Sequence, residues 1–346
     1  MPCYYPMRAY RKADGTVKVL GSISSVNGQE VEWTKDGDLI RYFNVPCGKC
    51  IGCRLEYSRQ WAIRCLKELE MTKGQSWFLT LTYDNDHLPK VRYVEESTGI
   101  DVGIGTLKPE DLQLFIKRLR ERIRRKYNVE IRFFACGEYG DRFKRPHYHA
   151  IVFNLPLEEE DLHFWSYSDK GSSLYTSDFL DNVWDKGILT VQEVSWECCA
   201  YVARYVMKKA QGPQGFSYAS ENGLVDEFTR MSRRPGIGAG FFQAYKDDIY
   251  KLDLVNGITP GNLGYAFQKD KGPVLLQSCK YYDKLFDVDS MSHVLLSKIK
   301  QYRIERSSMV HAQIMSNTSV SSIEYNTILA NQKTSKTGYF SRDFEI

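Results

Sequence analysis

The sequence predicts an α+β fold in which an antiparallel sheet carries flanking helices, and three observations lead there. Strand-like segments fall at 76–84, 131–139, 147–153 and 187–194. Segments with the three-four spacing of amphipathic helices lie between them, at 57–71, 107–127, 176–184 and from 195 onward. The resulting order is strand, helix, hairpin, helix, strand, helix, which suits an antiparallel sheet with its helices covering one face.

Each element has a local reason. Residues 1–56 are short, glycine-punctuated segments that end in a group of cysteines. "SWFLTLTYD" (76–84) sets Phe78, Thr80 and Thr82 against Leu79 and Leu81, the period of a strand. "LKPEDLQLFIKRLRERIRRKY" places Leu112, Phe115, Ile116, Leu119 and Ile123 on one helical stripe. Pro109 and two acids occupy its first turn and bases its last, as the helix dipole favours. "IRFFACGEYG" (131–140) and "HYHAIVF" (147–153) are apolar runs that "GDRFKRP" can fold into a hairpin. Ser195 is a suitable cap for the helix that follows "GILTVQEV".

Beyond residue 256 the pattern weakens. "MSHVLLSKIKQYRIER" (291–306) reads as a helix, and the Ser/Thr/Asn-rich stretch 307–338 is expected to be loosely ordered. These patterns divide the chain into an N-terminal cysteine-containing segment (1–56), a catalytic domain (57–255) and a partly helical C-terminal extension (256–346).

Composition narrows the setting. The 346 residues include no run of 18 apolar residues, and the N-terminus is polar and basic, so neither a membrane span nor a signal peptide is expected. A cytoplasmic protein follows, with its nine cysteines reduced or bound to metal. The net charge is only +4, but bases cluster in "KRLRERIRRK" (117–126), at Arg142, Lys144 and Arg145, at Arg204, Lys208 and Lys209, and in "TRMSRRPG" (229–236). Basic clusters interleaved with tyrosine and phenylalanine suit nucleic acid, where charges track phosphates and rings stack on bases.

The hairpin carries the first chemical constellation. Side chains alternate along a strand, so His147 and His149 project to one side and Tyr148 to the other. Folding the hairpin brings Glu138 near both histidines. Two imidazoles and one carboxylate form a set that can hold a divalent ion and leave positions open for substrate oxygens.

The second constellation is "AYVARYVMKKA" (200–210), where Tyr201, Tyr205 and Lys208 share one helical stripe. A tyrosine hydroxyl is a weak nucleophile at neutral pH because its pKa is about 10. A nearby cation that polarises a phosphate, and a lysine that stabilises negative charge, lower that barrier.

The order "FLTLT", "PHYHAIVF", "YVARYVMKK" resembles the three motifs of HUH endonucleases of the rolling-circle replication type. Together with "PCGKCIGCR" and "MSRRPGIG", the chain is similar, over roughly 45–245, to the replication initiators of microviruses, the gokushovirus branch in particular. The resemblance implies an HUH-type sheet, with His147, His149 and Glu138 as ligands of Mg²⁺ or Mn²⁺. Tyr201 and Tyr205 would be the nucleophiles and Lys208 their supporting lysine. It further implies nicking of single-stranded origin DNA through a 5′-phosphotyrosine, rejoining after one round, and host helicase and polymerase as partners in the host cytoplasm. A transposase of the same superfamily, a non-catalytic DNA-binding module and a zinc hydrolase are the competing readings. The last leaves the tyrosine pair unexplained.

Cys47, Cys50 and Cys53 recur at intervals of three, with Cys3 and Cys65 as candidates for a fourth ligand. Thiolates at this spacing suit a structural zinc. An iron–sulfur cluster and three reduced thiols are the alternatives.

Overall fold

The computed structural model describes residues 3–12, 14–22, 31–33, 39–92, 99, 102–140, 143–168, 171–208, 219, 222–250, 262–268, 272–288 and 290–338, without the side chains of 22, 32–33, 204–208, 262–268, 272–275 and 337–338. Arg142 and Lys209, and the side chains of Arg204, Tyr205 and Lys208, therefore lie outside the described residues. Two compact units divide the chain: residues 1–57 with 304–340, and a second built on 58–303.

In the first unit, β1 (Met7–Arg11), β2 (Val17–Ser22), β3 (Val31–Trp33) and β4 (Leu39–Val45) make an antiparallel sheet in the order β2-β1-β4-β3. Helix α1 (Ile51–Met71) starts within the cysteine group, earlier than the apolar periodicity from Tyr57 implied. Its first turn is closed by the Arg54 N–H donating to the Cys50 carbonyl at 3.0 Å.

The second unit is organised by a seven-stranded sheet. Its strands are β5 (Ser76–Tyr83), β8 (Arg132–Tyr139), β9 (Pro146–Phe153), β10 (Leu162–Tyr167), β11 (Ser173–Ser177), β12 (Gly187–Glu193) and β13 (Phe228–Met231). They lie in the order β10-β11-β12-β5-β9-β8-β13, every pairing antiparallel. β6 (Lys90–Val91) and β7 (Ile104–Gly105) form a separate short pair. Helix α2 (Pro109–Tyr127) keeps the expected terminal charges and ends on Asn128, whose left-handed backbone returns its N–H to the Arg124 carbonyl.

The expectation of helices on one face needs correction, because both faces are covered. Leu79, Leu81, Tyr148, Ala150, Val152, Leu189 and Val191 pack with Leu112, Phe115, Ile116 and Leu119 of α2 and with Leu180, Val183 and Trp184 of α3 (Asp178–Trp184). On the other face Phe78, Phe134, Cys136, Ile151 and Phe153 meet Trp61 and Cys65 of α1 and Cys198, Cys199 and Val202 of α4 (Trp196–Lys208). The physical reason lies in β8 and β9, which are buried at nearly every position. A strand apolar on both sides needs a cover on both sides. The cap expected at Ser195 is present, its hydroxyl accepting from the Cys198 N–H at 3.3 Å. Residues 176–177, expected in the helix, complete β11 instead, with Ser177 Oγ capping α3 through the Leu180 N–H at 3.2 Å.

A third apolar cluster gathers Phe241 and Phe242 of α5 (Ala239–Ile249) with Tyr250, Tyr282, Leu296, Ile299 and Ile63. The hairpin of β14 (Asn262–Gln268) and β15 (Gly272–Gln277) leads into α6 (Lys280–Phe286) and α7 (Ser290–Ser316), which contribute Tyr282 and Leu296 to that cluster. Residues 307–338 are mostly helical, in the end of α7 and in α8 (Ser322–Gly338), which corrects the expectation of loose order. A reciprocal capping box explains α8: Ser321 Oγ accepts from the Glu324 N–H at 3.3 Å, and Glu324 Oε2 accepts from the Ser321 N–H at 2.9 Å.

Gly187 opens β12 at φ 143°, where an added Cβ would strike the Thr82 carbonyl oxygen and the Asp84 amide of β5 and its following turn. These are backbone atoms of a central strand and cannot step aside. Gly187→Ala is expected to cost about 2 kcal/mol or more, as incompatible backbone substitutions do. Denaturant unfolding checks this, and a midpoint equal to that of the unsubstituted protein would show that β12 can shift.

Candidate metal centre and tyrosine site

The ladder between β8 and β9 sets Glu138 directly opposite His147, and Cys136 opposite His149. Directly opposed residues share a face. The three side chains therefore converge: Glu138 Oε1 lies 2.8 Å from Nε2 of each histidine, and the two Nε2 atoms stand 3.1 Å apart. Glu138 and His149 are buried, whereas His147 is half-buried and forms the open side of the group. Burial alone would raise the Glu138 carboxyl, yet hydrogen bonds and charge from His147 and His149 hold it down at about 2.

Outer contacts orient both rings. His147 Nδ1 lies 3.0 Å from the Arg145 carbonyl, which can only accept, so Nδ1 carries a proton and Nε2 faces the group, as a donor to Glu138 when the ring is protonated and as a lone pair when it is neutral. His149 Nδ1 lies 3.0 Å from Thr80 Oγ1, which can accept the corresponding proton. Phe78 stacks on the His149 ring at 5.3 Å. Neither Thr80 nor the Arg145 carbonyl stands out in the sequence as a partner of the histidines. Thr80 was findable, since it shares a strand face with Phe78 and pairs across β5–β9 with His149.

A divalent cation fits this donor set. Two neutral Nε2 lone pairs and a carboxylate pointed at one spot repel one another unless a proton or cation sits among them, and the three ligand atoms lie within 4.8 Å of one another. Imidazole nitrogen favours a transition ion such as Mn²⁺ over Mg²⁺, which prefers an all-oxygen shell.

Helix α4 delivers Tyr201 to this group. Its hydroxyl lies 3.2 Å from Glu138 Oε1 and 3.3 Å from His149 Nε2, and its ring meets the His149 ring edge-on. A phenol, two imidazoles and a carboxylate thus share one half-enclosed site on the sheet. The α4 backbone continues through positions 205 and 208, whose side chains are not described.

A second group forms in the N-terminal unit, where Cys3 joins Cys47, Cys50 and Cys53, all four sulfurs within 4.8 Å of one another. Cys65, the other candidate for the fourth position, is instead buried beneath the sheet against Phe78 and Phe134. Cys136, Cys198, Cys199 and Cys279 are buried, as small apolar residues would be.

The basic clusters are partly engaged within the chain. Arg118 pairs with Asp185 at 2.7 Å, Arg125 with Glu121 at 2.6 Å and Lys126 with Glu158 at 2.9 Å. Arg145 donates to the Tyr83 carbonyl and to Asn85, so it braces the turn before β9. Exposed pairs of this kind are worth about 0–1 kcal/mol each, little enough for a phosphate to displace the acid.

A sheet carrying His-x-His, an opposed glutamate and a helical tyrosine defines a class, and comparison with known families identifies it. The model of the family described as replication-associated protein ORF2/G2P matches residues 76–210, the stretch from β5 through α4. The chain belongs to the replication-associated proteins of phages, as its relatives among the microviruses show. It is 32% identical over 321 residues to replication-associated protein ORF2 of Spiroplasma virus 4, covering 92% of this chain and 91% of that one. Replication-associated protein VP4 of Bdellovibrio phage phiMH2K is 38% identical over 219 residues, 62% of each chain. Replication-associated protein ORF4 of Chlamydia phage 1 is 35% identical over 169 residues, 48% of this chain and 39% of its own. No solved structure matches the chain. Among the described residues no helix is long and apolar enough to cross a membrane.

Proposed function

We propose that this protein initiates rolling-circle replication by nicking single-stranded origin DNA with a tyrosine and later rejoining the strand. The observation that carries the reading is the Tyr201 hydroxyl within 3.3 Å of two members of the His147–His149–Glu138 group. Those three residues would hold a divalent cation, which would supply Lewis-acid polarisation of the scissile phosphate. Tyr201 Oη attacks phosphorus and loses its proton as the new P–O bond forms. The P–O3′ bond breaks, the 3′ oxygen leaves as a hydroxyl that primes synthesis, and the 5′ phosphate stays esterified to the tyrosine. Tyr205, one helical turn on, cleaves the regenerated origin after one round, and the 3′-OH so released attacks the first adduct to close the circle. Lys208 stabilises negative charge as it develops. Two nucleophiles on one rigid helix can take turns at one phosphate without rebuilding the site. In this reading residues 57–255 carry the chemistry, and the protein works in the host cytoplasm with the host helicase and polymerase.

The test incubates the full chain with end-labelled single-stranded candidate origins and Mn²⁺, followed by denaturing electrophoresis. A protein-linked 5′ product should persist in Tyr201→Phe and in Tyr205→Phe, vanish in the double variant, and vanish in His147→Ala. Cleavage that survives the double variant with no adduct would mean metal-assisted hydrolysis and would remove the tyrosines from the mechanism.

A further inference from the structure

The four cysteines of the N-terminal unit stand apart from the nicking chemistry, and nothing in that chemistry uses them. Cys3 comes from the chain start, Cys47 and Cys50 from the turn after β4, and Cys53 from the first turn of α1. The Cys47 and Cys53 sulfurs are 4.0 Å apart, as are those of Cys50 and Cys3. Four sulfurs about 2.3 Å from one ion at tetrahedral angles stand about 3.8 Å from each other, whereas a disulfide closes to about 2.05 Å. The spacing matches edges of a tetrahedron and no covalent pair.

The backbone is arranged for thiolates. The Cys47 N–H donates to Cys3 Sγ and the Cys50 N–H to Cys47 Sγ, both at 3.3 Å. Gly48, at φ 75°, makes the reversal that turns the Cys50 amide back onto the Cys47 sulfur. Cys50 precedes α1, whose first turn holds no acid, so a cysteine thiolate there would face the helix start with no competing carboxylate in that turn. Lys49 and Arg54, in the same short segment, supply positive charge near a site that would carry net negative charge when filled.

We propose that Cys3, Cys47, Cys50 and Cys53 bind one structural zinc ion that fastens the chain start to the head of α1. Sulfur donors exclude Mg²⁺ and disfavour Mn²⁺, so this site and the Glu138–His147–His149 group select different metals. Filling it displaces the thiol protons and closes a loop of the N-terminal sheet that the unfolded chain leaves open. Its role is to hold β1 and β4 to the helix start.

The experiment measures metal in the full-length protein purified without chelators. About one zinc per chain is expected, falling to about a tenth in Cys50→Ser and unchanged in Cys65→Ser, which keeps a buried core position but is no ligand. Cobalt substituted into the wild-type chain should show the intense visible bands of tetrahedral tetrathiolate coordination, a readout that does not depend on any variant folding. Thiol titration of the native protein should expose additional reactive cysteines only after a strong zinc chelator is added. Absence of stoichiometric zinc together with no tetrathiolate cobalt spectrum would overturn the proposal. Iron with acid-labile sulfide in its place would overturn it equally, in favour of a cluster.

Discussion

Glu138→Ala is expected to abolish metal-dependent strand cleavage and to weaken Mn²⁺ binding by well over a hundredfold, since even loss of outer contacts to metal ligands costs about 10- to 100-fold. Glu138 is the only anion in the group and its Oε1 touches both imidazoles and the Tyr201 hydroxyl, so on the proposed mechanism one substitution would remove a ligand, the charge that balances the ion and a contact of the proposed nucleophile. Glu138→Gln is the sharper variant. It keeps the shape and one acceptor oxygen but not the charge, and should fold while losing most cleavage. Calorimetric Mn²⁺ titration and a single-turnover cleavage assay read the two effects separately. If Glu138→Gln binds Mn²⁺ and cleaves as the wild type does, the carboxylate is not a ligand.

Trp184→Ala is expected to destabilise the protein by about 3–5 kcal/mol, a large part of a total stability of about 5–15 kcal/mol. Trp184 is fully buried at the end of α3, and its ring packs edge-on or tilted against Tyr83, Phe115 and Tyr148 at 5.2, 6.1 and 5.9 Å. Its indole N–H also donates to the Thr82 carbonyl at 3.2 Å, so truncation opens a cavity and strands an acceptor on the strand that carries Thr80. Trp184→Phe retains the aromatic packing and should lose only part of that. Because Tyr148 lies between the two histidines in β9 and faces Trp184, loosening this core should also blur the metal site from behind. Urea unfolding followed by circular dichroism checks the stability, and a loss under about 1 kcal/mol for the alanine variant would mean that the core collapses onto the space.

Much of the site was legible because it is written in short-range patterns. His147 and His149 are two apart on a strand, which by itself puts them on one face. Glu138 follows from the hairpin, since the turn sets which residue of β8 opposes His147. Tyr201 and Tyr205 are one helical turn apart, and α4 supplies the helix. Helix α2 was legible in full, from its proline start to its basic end, for the same reason.

What resisted reading depended on partners far away in sequence. Cys3 and Cys65 were equal candidates as a fourth sulfur, and only the fold separated them, sending Cys65 into the core under β8 and β9 and Cys3 to the turn after β4. Strand β10, at the sheet edge, exposes Phe164, Trp165 and Tyr167, so its sequence shows no clean apolar alternation. The end of α7 and helix α8 hide in a polar composition, which suggested looseness, while the Ser321–Glu324 box that starts α8 is a matter of two hydrogen bonds.

The sequence by itself determined which residues are candidate ligands, their spacing and the elements that bear them, because periodicity and turn chemistry act over a few residues. Only the tertiary structure decided that helices cover both faces of the sheet, and that Tyr201 reaches a glutamate 63 positions earlier in the chain. Those choices rest on which buried faces meet, and apolar faces attract without regard to sequence distance.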